Sequence, residues 1–389
     1  KMFGLSESSV RLPSAIFSIL SSLLVYKIGI ELINKRVAFI SAITLPSIPY
    51  WFQYSHYASP DIPYIFCILL SIYFIIKTNC SPNLSSQSSS IYWLYAGFCF
   101  SISFFIRSFM VFLPLLGLVP YVYISLKRQK MKSIIYLILG LLIGLIPTLI
   151  SLYLSYRLFG NLSLESLSSF ARNQALSVDS NQTLILDRIN SFLFYPRNIF
   201  ILSFPYGLLS IYGGISLFRK RDFNLIYIFI VFPFICILSL LLVSTKLSHY
   251  SLIIFPSIAF LAGISVDSFL RDQSEYSKKS RLFIGYFFLA IGLTLTIFTS
   301  LILMGILYIP ELSKFLLIFL LLTIGLIYLI SSLLFIHQII IESKTNIFLL
   351  PVLISQSIIL PILFSFGLIG NPNLDLKSFL THKEVEQII

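Results

Sequence analysis

Apolar runs of about twenty residues, repeated almost end to end, constrain this chain more than any other feature of its sequence. A helix rises ~1.5 Å per residue and the hydrocarbon core of a bilayer is ~30 Å thick, so one such run is the length that crosses it. The runs lie at about 12–33, 37–55, 61–77, 91–106, 108–126, 133–154, 199–218, 223–244, 250–270, 282–305, 314–337 and 347–368, about twelve in all. The stretch 91–126 reads either as two short helices meeting at Arg107–Ser108 or as one long helix with a break. Only 11% of the 389 residues are charged, against roughly a quarter in a soluble domain, and a surface so poor in charge cannot be covered in water. A membrane β-barrel would show alternating ten-residue segments, and none are visible. The expected fold is all-α: a polytopic transmembrane helical bundle over residues 1–369.

Orientation follows from the basic residues. Lys35 and Arg36, then Lys127, Arg128, Lys130 and Lys132, then Arg219, Lys220 and Arg221, then Arg271, Lys278, Lys279 and Arg281 occupy four connectors that fall on one side if the spans alternate. Basic short loops are retained inside, so that side is cytoplasmic. The net charge of +12 then reflects topology and attraction to anionic inner-leaflet lipid, and calls for no nucleic acid. Residues 78–90 form a polar inner linker. Residues 155–198 mix apolar and polar positions as amphipathic outer-face helices do. The tail, 370–389, reads as the outer stub of a further domain. The chain opens on Lys1 with no signal-peptide pattern, so upstream sequence is expected to be missing.

Several chemistries are disfavoured. Cys67, Cys99 and Cys236 lie in apolar runs and Cys80 in a connector, with no zinc-like spacing. No Gly-rich phosphate loop and no D-x-D pair is present, which argues against an ATPase or a nucleotide-sugar enzyme. No cofactor is expected, and a divalent metal is not indicated.

Charges at or within the membrane are expensive and usually have a partner or a task. At an outer turn, Lys246, His249 and Tyr250 combine cation, imidazole and phenol within five residues. That set suits a phosphate at the membrane surface; equally, Lys246 can snorkel while Tyr250 anchors the interface. At a second outer turn, Asp61 follows Pro60, and is read both as an acid–base group and as a helix N-cap. His56 beside it reads as a hydrogen-bonded interfacial histidine before a catalyst. Arg107 either binds an anionic headgroup or snorkels. Glu7 and Arg11, four residues apart, suit a helical ion pair at the rim.

These residues also carry a resemblance. Phe3-Gly4-Leu5-Ser6-Glu7 and Val10-Arg11-Leu12-Pro13-Ser14-Ala15 resemble the segment after the first outer loop of GT-C class lipid-linked glycosyltransferases. The similarity is to the branch holding dolichyl-phosphate-mannose protein mannosyltransferases and the bacterial transferase that puts aminoarabinose on lipid A. Ala58-Ser59-Pro60-Asp61 is similar to that family's A-R-P-D turn, with Ser59 in place of Arg. Lys246-Leu247-Ser248-His249-Tyr250 is similar to its K-L-P-H-Y turn, with Ser248 in place of Pro.

The resemblance implies an enzyme, a glycosyltransferase moving a sugar from a polyprenyl-phosphate donor to a lipid, glycan or protein acceptor at the outer face. It points to a bacterial inner membrane with the active site facing the periplasm. Lys246, assisted by His249, Tyr250 and Arg107, would hold the donor phosphate, with Asp61 the candidate catalytic carboxylate within these residues. The family's main acidic base would lie upstream of Lys1. An apolar groove open to lipid is then expected beside the first span, with Lys246 and Asp61 facing one outer cavity. A secondary transporter, a lipid-linked sugar flippase and a surface-polysaccharide ligase or polymerase are the alternatives.

The orientation is testable in intact cells, with the native cysteines replaced. A single cysteine at Ser277 is expected to resist an impermeant thiol reagent, and one at Ser163 to react. Labelling of Ser277 from outside reverses the topology.

Overall fold

The computed structural model describes residues 7–80, 86–127, 132–162, 165, 169, 185–242, 246–270, 278–306, 315–341 and 350–365, and all regular structure among them is helical. The described residues fall into two compact units, one up to Leu270 and one from Lys278 onward.

In the first unit, α1 (Glu7–Leu32) leads to α2 (Lys35–Ser47), whose start is capped by the Asn34 side chain accepting from the Val37 N–H at 2.9 Å. Ile48 then turns extended (φ −69°, ψ 121°) before α3 (Pro49–Ser55), because a residue preceding proline is pushed out of the helical region. α4 (Asp61–Cys80) and α5 (Ser86–Arg107) follow. A 3₁₀ turn, Ser108–Val111, separates α5 from α6 (Phe112–Lys127), so the stretch 91–126 is two helices meeting at Arg107–Ser108. Then come α7 (Lys132–Phe159), α8 (Ile185–Leu202) and α9 (Tyr206–Lys220). The next segment comprises α10 (Phe223–Ile226), a π turn (Tyr227–Val231) and α11 (Phe232–Leu242). The wider π turn precedes Pro233, which lacks an N–H and would crowd the carbonyl four residues back in a regular helix. A 3₁₀ segment, Ser248–Ile254, feeds α12 (Phe255–Leu270), the most buried helix of the unit.

The second unit comprises α13 (Lys278–Leu303), α14 (Phe315–Ile341) and α15 (Leu350–Ser365). Its α13 and α14 approach through Gly292, where an added methyl would lie 2.5 Å from the Leu329 nitrogen. Phe288 stacks on Tyr328 with centroids 5.8 Å apart.

Eight helices among the described residues are long and apolar enough to cross a membrane, or nine if one bent pair counts as a single span. The protein is therefore a multi-pass membrane protein, and eight or nine of the expected dozen or so spans qualify by length and composition among the described residues. The run 37–55 breaks at Ile48. The run 199–218 is bent by 103° between Phe192–Leu202 and Tyr206–Lys220, at Pro205, where a helix cannot continue its hydrogen bonds. Phe112–Leu126 and Ile354–Phe364 are apolar but short. Within 155–198, α7 runs on to Phe159 and α8 begins at Ile185, while 170–184 and the tail 370–389 lie outside the described residues.

Alternation of the chain within the first unit brings like ends together. At one end, Lys77 of α4 pairs with Glu31 of α1, and Asn79 donates to Tyr121 (3.0 Å) and Ser125 (2.7 Å) of α6. At the other, the Ser14 hydroxyl of α1 donates to the Ser59 carbonyl at 3.0 Å, and the Trp51 indole N–H donates to Ser18 at 2.9 Å. An apolar groove between α1 and α2, of about 550 Å³, is lined by Ile19, Leu23, Phe39, Ile43 and neighbours.

Lipid is as apolar as leucine, so helices here gain little by burying leucine and associate through close backbone approach instead. α5 and α7 do so at Gly97, Gly140 and Gly144, with Ser101 donating across to the Leu141 carbonyl at 2.8 Å. A methyl group on Gly140 would sit 2.0 Å from the Leu94 carbonyl oxygen, whereas one on Gly214 would meet only a flexible isoleucine end at 3.9 Å. Gly140→Ala is therefore expected to lower thermal stability in detergent by several degrees and Gly214→Ala to leave it near wild type. Equal melting temperatures for the two variants contradict this packing.

Candidate functional site

The site forms where the start of α4, the end of α5 and the 3₁₀ segment before α12 converge. Pro60 ends the turn after α3, and Asp61 is the first residue of α4. Its side chain does not cap its own helix in the way the sequence suggests. One carboxylate oxygen, Oδ1, lies 2.9 Å from Nη2 of Arg107, and Oδ2 accepts the Ser59 hydroxyl at 2.5 Å. The cap-like contact is made by Ser59 instead, whose Oγ accepts the Asp61 N–H at 3.3 Å. The pair is largely shielded, with side-chain exposures of 8% for Asp61 and 21% for Arg107. A bond of this kind is worth more than a surface salt bridge, and breaking it leaves a desolvated charge behind.

Arg107 is the last residue of α5 and is aimed by the backbone that follows it. Ser108 has a left-handed φ of 48°, a conformation costing a non-glycine residue roughly 1–2 kcal/mol and typical of functional turns. The turn is pinned from α4, where the Tyr64 hydroxyl donates to the Met110 carbonyl at 3.0 Å. Arg107 thus resolves from its two sequence readings into an ion-paired residue rather than a snorkelling one. Its guanidinium carbon also lies 6.0 Å from the Tyr250 ring centroid, within reach of a cation–π attraction.

Asp61, Tyr64, Ile65, Arg107, Met110, Leu113, His249, Tyr250 and Ile253 line a narrow crevice whose free volume, about 10 Å³, is that of a single water-sized sphere. His249 packs on Tyr250 (4.7 Å) and faces Tyr54 of α3 (5.9 Å). Tyr50 reaches Phe255 at 6.0 Å and Tyr54 reaches Tyr57 at 5.3 Å, extending an aromatic wall beside it. Phenols, imidazole and a guanidinium offer donors and one fixed positive charge to an anion; among the described residues no three His, Cys, Asp or Glu side chains converge as a metal would need.

Lys246 makes a different set of contacts. It is not among the crevice's lining residues. Its ammonium donates to the Leu240 (3.2 Å) and Leu241 (2.8 Å) carbonyls at the C-terminal end of α11, and lies 5.6 Å from the Tyr195 ring centroid. A lysine there satisfies carbonyls that the helix end leaves open and complements its dipole. Partial burial lowers its pKa from the usual lysine value.

His56 is held at the end of α3, its Nδ1 donating to the Phe52 carbonyl at 2.8 Å and lying 2.9 Å from the Ser55 hydroxyl. The Glu7 side chain lies outside the described residues, and Arg11 sits half-exposed on the first turns of α1. Sequence reasoning missed Ser59, Ser14 and Tyr64. Tyr64 had a signal, being three residues beyond Asp61 and so on the same helical face; Ser14 and Ser59 stood in the segments that carry the resemblance, with nothing there to mark their contacts.

The profile of the dolichyl-phosphate-mannose-protein mannosyltransferase family matches residues 1–153. The crystal structure of ArnT from Cupriavidus metallidurans bound to undecaprenyl phosphate superposes with a TM-score of 0.67 at 15% identity, over 92% of this chain and 64% of that one. The same protein's apo structure gives 0.64 at 14% identity, over 92% and 63%. The chain therefore has the ArnT fold and spans under two thirds of ArnT's length. No curated protein matches at the sequence level.

The ion pair makes a double-mutant cycle informative. Asp61→Asn and Arg107→Gln are each expected to destabilise the protein by about 3 kcal/mol. The double variant should lose less than the sum, by roughly 1–2 kcal/mol. Strictly additive losses mean that the two groups are not coupled.

Proposed function

We propose that this protein is a membrane glycosyltransferase that moves a hexose or pentose from a polyprenyl-phosphate donor to a lipid, glycan or protein acceptor. The observation that carries this reading is the Arg107 guanidinium, fixed by Asp61 and backed by Tyr250 in a crevice at the outer helix ends. A planar fork of N–H donors, pre-organised and partly shielded from water, suits a phosphate. Support also comes from the fold shared with ArnT, which in one structure holds undecaprenyl phosphate, and from the mannosyltransferase family profile over residues 1–153.

In this reading the acceptor's nucleophile attacks the anomeric carbon as the bond from that carbon to the phosphate oxygen breaks, and where the acceptor is a hydroxyl its proton passes to the departing phosphate. The lipid phosphate departs with the bonding pair, and its growing negative charge is met by Arg107, a group already in place before reaction. Tyr250 and His249 complete the anion's surroundings. Both oxygens of Asp61 are engaged, so its role is to hold Arg107 rather than to take the acceptor's proton. Basic inner connectors set the crevice on the outer face, which in a bacterium is the periplasmic side of the inner membrane. A donor already on that face needs no nucleotide-sugar site.

The test is transfer from lipid-linked sugars in membranes, at matched expression. Arg107→Ala is expected to lower the rate by two orders of magnitude or more, as loss of a charge-assisted contact that strengthens in the transition state does. Lys246→Ala, which touches only helix ends and Tyr195, should fall by much less. Wild-type turnover in Arg107→Ala, or a larger loss in Lys246→Ala, would sink this assignment.

A further inference from the structure

We infer that Ser59 is a positioning residue that keeps the Asp61–Arg107 pair single-pointed, so that the rest of the guanidinium stays open to a phosphate; this rests on the reading of the crevice just given. A carboxylate beside an arginine tends to close on it with both oxygens, forming two parallel bonds with the fork. Such closure turns toward Asp61 the very N–H groups that a phosphate would need. Here closure is prevented. Only Oδ1 is paired with Nη2, at 2.9 Å, while Oδ2 is drawn away by the Ser59 hydroxyl at 2.5 Å.

The clamp is itself anchored. Ser59 Oγ accepts the Asp61 N–H at 3.3 Å, closing a short ring that fixes the carboxylate's direction. Its carbonyl receives the Ser14 hydroxyl at 3.0 Å, and Ser14 is buried on α1 at 2% exposure. α1 is tied a turn further on, through Ser18, to the buried Trp51 indole of α3. On the opposite side, Arg107 is held by the left-handed Ser108 and the Tyr64–Met110 bond. Carboxylate and guanidinium are thus fixed from separate elements, and the Ser59 hydroxyl is the contact that decides how many of their atoms meet.

The consequence differs from that of a purely structural residue. Without the hydroxyl, Asp61 is free to close on Arg107, so stability is kept or rises while anion binding falls. The experiment uses the full chain in lipid nanodiscs, with undecaprenyl phosphate and the uncharged undecaprenol as probes, and the melting temperature measured alongside. Ser59→Ala is expected to bind undecaprenyl phosphate about tenfold more weakly, the scale of one charge-assisted hydrogen bond. Its binding of undecaprenol and its melting temperature should not fall. Ser59→Thr, which keeps the hydroxyl, should restore the phosphate affinity. Wild-type phosphate affinity in Ser59→Ala overturns the inference, as does a matched loss for both lipids with a lower melting temperature, or a failure of threonine to rescue. A wild-type protein that does not favour the phosphate over the alcohol overturns the anion reading of the crevice itself, and this inference with it.

Discussion

Hydrocarbon offers a buried chain no hydrogen bond, and the arrangement of this protein follows from that lack. Each backbone N–H and C=O at membrane depth must find its partner within the protein, and a helix supplies almost all of them locally. Where a helix ends or breaks, the debt falls on side chains. Asn34 meets it at the start of α2, Lys246 at the end of α11, and the Tyr64 hydroxyl at the Met110 carbonyl beside the α5–α6 break. Helices so saturated attract one another only by fitting closely, which explains the glycine contacts of α5 with α7 and of α13 with α14.

The same constraint explains why the charged residues of the crevice occur as a set. A lone arginine or aspartate near the membrane is costly, but each offsets the other when their ends meet. Asp61 and Arg107 are 46 positions apart, brought together because α4 and α5 run antiparallel and the start of one meets the end of the other. Tyr250 arrives from a third element and covers the guanidinium with a ring face, so the cation is shielded on one side and available on another. The break at Ser108 directly follows Arg107.

Lys246 and Arg107 illustrate how similar charges take different work. Lys246 has a flexible stem and a compact ammonium, and the open carbonyls of Leu240 and Leu241 lie six and five positions before it. Local geometry claims it. Arg107 follows a helix that ends in a left-handed turn, with the nearest carboxylate on a neighbouring helix, so a long-range contact claims it instead. Composition ranks the two alike; what distinguishes them is where the neighbouring helix ends point.

The all-helical membrane fold was legible in the sequence because the period and length of apolar runs are local properties, set by the rise of a helix and the thickness of a bilayer. The break at Arg107–Ser108 and the gathering of Asp61, Arg107, His249 and Tyr250 at one face followed from alternation of the spans. The number of straight crossings did not, since Pro49 and Pro205 turn what reads as one run into two helices, and a hydropathy pattern does not register direction. Nor did the partners of each charge. Asp61 has a proline before it and reads as a cap, and only the antiparallel packing of α4 against α5 gives its carboxylate to Arg107. Ser59 and Ser14 are two serines among many in a serine-rich chain. Ser59 meets Asp61 locally, two residues on, whereas Ser14 reaches Ser59 because α1 passes beside the turn at 56–60, a juxtaposition 45 residues long in sequence and 3.0 Å in space.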